Sequence, residues 1–181
     1  MFARFIAAIG VVLAMSAPAW AASERKDLQV AHDVSRQVLT YPQFSIFDSV
    51  HMQVDEGIVT LTGKVTMPYK KNDIERRVAK LPSVERLVNK IEVLPVSQFD
   101  DDLRFRIARA IYSNPNFRPF ATMVNPPIHV IVDRGRVTLE GVVNSEVDRM
   151  LARSIATNFL AFDVKNALKT EAEVKVELEK L

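Results

Sequence analysis

The chain contains one twelve-residue pattern twice. Val54-Asp55-Glu56-Gly57-Ile58-Val59-Thr60-Leu61-Thr62-Gly63-Lys64-Val65 returns 78 residues later as Val132-Asp133-Arg134-Gly135-Arg136-Val137-Thr138-Leu139-Glu140-Gly141-Val142-Val143, with eight of the twelve positions identical. A spacing this long marks a duplicated small domain rather than a solenoid repeat. The retained positions are turn glycines and apolar strand residues, which serve folding. Function is therefore to be sought where the copies differ.

Residues before the first copy read as an export signal. Arg4 precedes an apolar run from Phe5 to Met15, and Ala19 and Ala21 supply the small residues of a cleavage site. The apolar run is too short to span a bilayer. The reading is a signal peptide over 1–21, cleaved after Ala21, and a periplasmic protein. The chain has no Cys, so neither a disulfide framework nor a lipidated thiol is available. Its 24 Lys and Arg face 22 Asp and Glu, and Arg4 falls in the leader. That balance gives no bulk electrostatic footprint for nucleic acid.

Each repeat opens with a helical pattern. Val30, Val34 and Val38 recur every fourth residue behind Asp27, read as a helix cap; Leu103, Ile107 and Ile111 do so behind Asp100-Asp101-Asp102. Proline turns follow at Tyr41-Pro42-Gln43-Phe44 and Asn114-Pro115-Asn116-Phe117. Period-two alternation on both sides of Glu56-Gly57 and of Arg134-Gly135 predicts a hairpin in each copy. Gly63 and Gly141 fall on the inward row, where a missing side chain would let a helix approach. Second helices are expected on Ile74, Val78 and Leu81, opened by Pro68, and on Val147, Leu151, Ile155 and Phe159. Final strands carry Leu87, Asn89, Ile91 and Val93, and Val164, Asn166 and Leu168. Asn89 and Asn166 should each hydrogen-bond backbone near a helix end. The expected class is α+β: two tandem αββαβ domains, each a three-stranded mixed sheet covered on one face by two helices. The domains are placed at 24–94 and 100–170, with a linker at 95–99 and a charged tail at 171–181, helix or strand.

These motifs resemble a known family. Glu56-Gly57-x-Val59-x-Leu61-x-Gly63-x-Val65 with Val84-x-x-Leu87-x-Asn89-x-Ile91-x-Val93 is similar to the bacterial OsmY and nodulation (BON) domain, and the second copy repeats it through Gly135 to Val143 and Val164-x-Asn166-x-Leu168. The resemblance implies an envelope location and a non-enzymatic role in phospholipid binding or envelope maintenance under osmotic stress. The expected partner is an anionic phospholipid surface or an envelope protein, the alternative function being a chaperone-like interaction module.

The residues themselves offer no catalytic constellation. His32, His51 and His129 are scattered, no phosphate-binding glycine loop exists, and no cofactor, metal or small-molecule substrate is expected. His51 and His129 hold equivalent strand positions, read as half-exposed residues inherited by duplication, with a pH-sensing or metal pair between the sheets as the alternative. The first helices differ between copies: His32, Ser35 and Leu39 are matched by Phe105, Ala108 and Tyr112, flanked by Arg106 and Arg109. Such an aromatic-basic face suits a membrane interface, or else packs on the first domain. The loop from Asn114 to Pro127 is five residues longer than its counterpart and carries Phe117, Arg118 and Phe120. It reads as a flap on the second core or as a recognition lip. The candidate binding residues are thus Phe105, Arg106, Arg109, Tyr112, Phe117, Arg118 and Phe120.

Overall fold

A computed structural model describes residues 19–179. The leader expected over 1–21 lies, but for its last three residues, outside the described residues. In the first repeat, helix α1 (Ala19–Leu39) leads to strands β1 (Ser49–Asp55) and β2 (Ile58–Val65), helix α2 (Pro68–Val78) and the short strands β3 (Arg86–Asn89) and β4 (Glu92–Val93). In the second, α3 (Gln98–Ser113) leads to a 3-10 turn (Arg118–Thr122), β5 (Ile128–Asp133), β6 (Arg136–Val143), α4 (Glu146–Thr157) and β7 (Asp163–Thr170). Helix α5 (Glu171–Leu178) follows directly, held by a capping box between Thr170 and Glu173. The tail is therefore helical over Glu171–Leu178.

Both sheets have the expected mixed topology. β2 pairs antiparallel with β1 and parallel with β3 and β4; β6 pairs antiparallel with β5 and parallel with β7. Two separate cores result. Val34, Val59, Leu61, Ile74 and Val78 centre the first; Ile107, Ile111, Phe117, Val130 and Leu139 centre the second.

The last strand of the first repeat is broken where a continuous one was expected. The Asn89 side chain accepts from the Ile91 amide at 3.1 Å, a bond that Asn166 repeats with the Leu168 amide at 3.3 Å without interrupting β7. The asparagine expectation itself holds in both copies. Asn166 Nδ2 donates to the Arg149 carbonyl at 2.9 Å, and Asn89 Nδ2 reaches the Lys71 carbonyl at 3.4 Å and Glu75 at 2.8 Å, so each ties a strand to a helix.

Three other expectations are corrected. Gly63 and Gly141 admit a neighbouring strand, not a helix: a Cβ there would lie 2.2 Å from the Ser49 carbonyl oxygen and 1.8 Å from that of Pro127. Asp27 does not cap α1, which begins eight residues earlier; its carboxylate accepts the Glu56 and Gly57 amides of the hairpin turn, both at 3.0 Å. Asp100 does the same for Arg134 and Gly135, both at 2.8 Å, while Ser97 caps α3. On α4, Leu151, Ile155 and the following Phe159 pack against the second core as expected, but Val147 is 64% exposed and the fully buried positions are Ala152 and Ala156, so the inward face is shifted toward these small side chains.

Candidate functional site between and beside the two sheets

The helix-free faces of the two sheets meet. His51 and Ser49 on β1 reach Glu140 on β6, and Lys64 on β2 pairs with Asp133 on β5. All alternate with core residues on their strands, so period two points them away from the helices. Segment 44–48 seals the junction. Its Ile46 carbonyl accepts the Val130 amide at 2.7 Å, which occupies a free edge position of β5. Ile46 and Phe47 pack against the second core. Asn125 in the long loop donates to the Leu39 carbonyl at 3.0 Å.

The two histidines, equivalent by sequence, sit in opposite environments. His51 Nε2 donates to Glu140 at 2.9 Å, and that carboxylate raises the imidazole above its ordinary value despite partial burial. Glu140 is correspondingly held low by His51, with burial opposing and Ser49 assisting. Burial pushes His129 down, while the Asp48 carbonyl, which accepts Nδ1–H at 2.6 Å, works against that shift. Ser49, His51 and Glu140 do not form a nucleophilic triad. Serine and carboxylate both bond the same nitrogen, Nε2, whereas a triad needs the carboxylate on the opposite ring nitrogen. Among the described residues no group of three His, Asp or Glu could hold a metal ion.

Behind this junction lies a buried ion pair. Asp48, fully buried, accepts from Lys70 Nζ at 2.6 Å, from Ser45 and from Thr66. Burial alone would raise its carboxyl, but the bonds from Lys70, Ser45 and Thr66 outweigh that and hold it below the usual range.

The sequence-derived residues do not form one surface. Phe105 is 61% exposed, its ring edge-on to Phe47 of the first domain with centroids 4.8 Å apart. Arg109 is exposed, and Arg106 lies over the Phe159 ring at 5.4 Å. Tyr112 turns inward. Its hydroxyl donates to the Ile128 carbonyl at 2.6 Å and accepts the Ile128 amide at 3.1 Å, and burial pushes it up to about 12. The buried stripe of α3 extends to Arg104 and Ala108; at 100° per residue Tyr112 falls only about 40° past Ala108, on the stripe's edge. Phe117 is fully buried in the second core and Phe120 packs against it, which leaves Arg118 exposed on a loop that closes that core.

A different exposed cluster stands at the tip of the second domain. Phe99 is 50%, Leu160 84% and Phe162 81% exposed, and the rings of Phe99 and Phe162 stack with centroids 6.4 Å apart. Phe162 lies over Gly135, to whose carbonyl its amide donates at 2.8 Å. In the first domain the Glu85 amide makes the same bond to Gly57. Bond for bond, then, Phe99, Arg134, Leu160 and Phe162 replace Lys26, Glu56, Ser83 and Glu85. A charged tip has become an aromatic one beside two arginines, Arg134 and Arg136. Position-by-position comparison of the repeats would have shown Glu56 against Arg134 and Ile58 against Arg136, but Phe99 and Phe162 lie outside the repeated segment.

The BON domain matches this chain over residues 26–95 and again over 99–172. The chain belongs to the BON-domain family. The two BON domains are the two repeats, and BON domains as a family are associated with the envelope and with phospholipid binding. No curated protein matches the chain. Solved structures similar to it include the C-terminal domain of CdsD, a structural protein of the type III secretion system of Chlamydia trachomatis, at 17% identity and TM-score 0.33, covering 84% of this chain and 70% of that one. A second CdsD structure has 13% identity and TM-score 0.28, covering 83% and 97%. Among the described residues no helix of the BON pair is long and apolar enough to cross a membrane.

Proposed function

We propose that this is a non-enzymatic envelope protein that binds anionic phospholipid peripherally through its second BON domain, in support of envelope integrity or osmotic tolerance. One observation carries the reading: tips with the same backbone bonds are charged in the first domain and aromatic-basic in the second. Folding does not demand that contrast. Burial of a phenylalanine in the acyl boundary contributes about 1.5–3 kcal/mol, and each arginine near an anionic surface about 1 kcal/mol. Asp102 and Asp163 border the tip, so apolar insertion outweighs charge. After the loss of rotational and translational freedom, the balance supports reversible association.

Co-sedimentation with phosphatidylglycerol vesicles tests this. Phe99→Ser with Phe162→Ser should abolish binding with little change in melting, since Phe99 is half-exposed and Phe162 81% exposed. Arg134→Glu should weaken it more at low salt than at high. Phe105→Ser with Arg109→Glu should have the smaller effect. A wild type that ignores anionic vesicles at low salt ends the lipid reading and leaves the protein-interaction one.

A further inference from the structure

Between the two sheets lies a cleft of about 350 Å³, with walls from both domains. Lys64–Asp133 and the bonds of Ser49 and His51 to Glu140 span it. Its apolar lining is Gly63 and Ile131, the latter only 4% exposed although it lies on the helix-free face.

Two features of the cleft are left unused by the fold. Arg134 and Arg136 line it and pair with no carboxylate among the described residues. The first repeat has Glu56 and Ile58 at those positions, so the guanidiniums are not a requirement of the hairpin. Asp133 gives one carboxylate oxygen to Lys64, while its Oδ1 is buried with no hydrogen-bond partner. A buried acceptor left unpaired is costly, and the carboxylate as a whole is 28% exposed, so it is by turning this group toward the cleft that a ligand's donor would relieve it. The cleft therefore asks for an oxyanion to meet the arginines and a hydroxyl to meet Asp133, with the Thr138 side chain beside them. Its volume lies at the small end of ligand sites, roughly 300–1,000 Å³.

We propose that the interdomain cleft binds a polyol phosphate: a phosphate held by Arg134 and Arg136, carried on a short hydroxylated chain that donates to Asp133. The role is binding and not turnover, because no nucleophile is activated there. The same chemistry exists in a free glycerol phosphate and in the phosphoglycerol headgroup of a lipid. The cleft is distinct from the apolar tip, and only Arg134 touches both.

The test is a titration of the full chain with glycerol 3-phosphate, and separately with short-chain phosphatidylglycerol below its micelle concentration, followed by amide chemical shifts and calorimetry. Shifts should appear at Ser49, Lys64, Asp133 and Thr138. Arg136→Glu should weaken binding by about tenfold or more, a charge-assisted bond being lost, and Arg136→Gln by less. Phe99→Ser with Phe162→Ser should leave glycerol 3-phosphate affinity unchanged while abolishing vesicle binding. Binding of both probes at the cleft supports the shared polyol phosphate chemistry, binding of glycerol 3-phosphate alone supports a free ligand, and binding of the lipid alone supports the headgroup. Absence of cleft shifts with either probe, or an affinity indifferent to Arg136→Glu, overturns the proposal. Equal affinity for inorganic phosphate overturns its polyol half. Vesicle binding persisting while the cleft stays silent would sink this inference and leave the lipid reading standing.

Discussion

Phe44 and Phe117 close equivalent proline turns, each with its amide bonded to the carbonyl three residues back. Phe117 is buried completely in the second core, whereas Phe44 is half-buried and faces His129 across the junction, ring centroids 5.6 Å apart. The same divergence recurs behind the strands. Where the first domain seals Asp48 against Lys70, the second has Pro126 and Asp148, and Asp148 merely bonds Ser145 at the start of α4. The copies thus share a hairpin and its aspartate clamp. The first spends its irregular segment on the domain junction, with the buried ion pair holding it; the second folds a longer segment into its own core. Duplicated scaffolds of this kind diverge at loops and tips, where backbone bonding does not dictate side-chain chemistry.

The largest effect expected from breaking this contrast is at Asp48. Asp48→Ala strands Lys70 as a buried unpaired cation and should cost about 3–5 kcal/mol, while Asp148→Ala should cost about 1 kcal/mol as a loss at a helix start. Urea unfolding of both variants checks this, and equal losses would show that the buried pair does not set the domains apart. Next, Phe117→Ala should cost about 3–5 kcal/mol by opening a cavity. Phe44→Ala should cost clearly less and should also loosen the domains, read as faster exchange of the Val130 amide.

The clamps come third. Asp100 is 1% exposed while Asp27 is only part-buried. Asp100→Ala should therefore cost about 1–3 kcal/mol for buried turn amides left unpaired, and Asp27→Ala less, since water can replace it. Thermal melts separate the two.

The smallest effect is the pH dependence of the junction, where the two histidines act in opposite directions. His51 is raised, so its contribution is complete below the ordinary value of 6.5 and is lost as pH rises through its folded value. His129 is lowered, so its stability is present above 6.5 and is lost as pH falls through its folded value; Glu140, also lowered, adds to the acid side. The His51 ring is 61% exposed, which limits its share to less than about 1 kcal/mol. His51→Gln should flatten the alkaline decline of stability and His129→Gln the acid one. Urea midpoints across the histidine range would reveal a junction without this role if both variants tracked the wild type.

Much of the architecture could be read from local pattern. Val30, Val34 and Val38, the alternating hairpin residues and the two asparagines mark elements whose partners lie in the same domain, where helical or strand periodicity alone selects a face. Tyr112 defeats that logic because the buried stripe of α3 is wider than its three aliphatic anchors, a width set by the sheet packed against it. Phe117 defeats it because a proline-rich loop has no period from which inward and outward can be told.

The sequence by itself determined the duplication, the αββαβ order and the two cores, since these rest on turn residues and periods that act within about forty residues of chain. Only the tertiary structure decided that His51 meets Glu140, that Lys64 meets Asp133, and that Phe99 and Phe162 stack beside the Arg134 turn. Those contacts join segments between 63 and 89 residues apart. No periodicity reaches across such a gap: the pairings exist because two helix-free sheet faces met, and because the α3 start and the β7 start both lie against one hairpin.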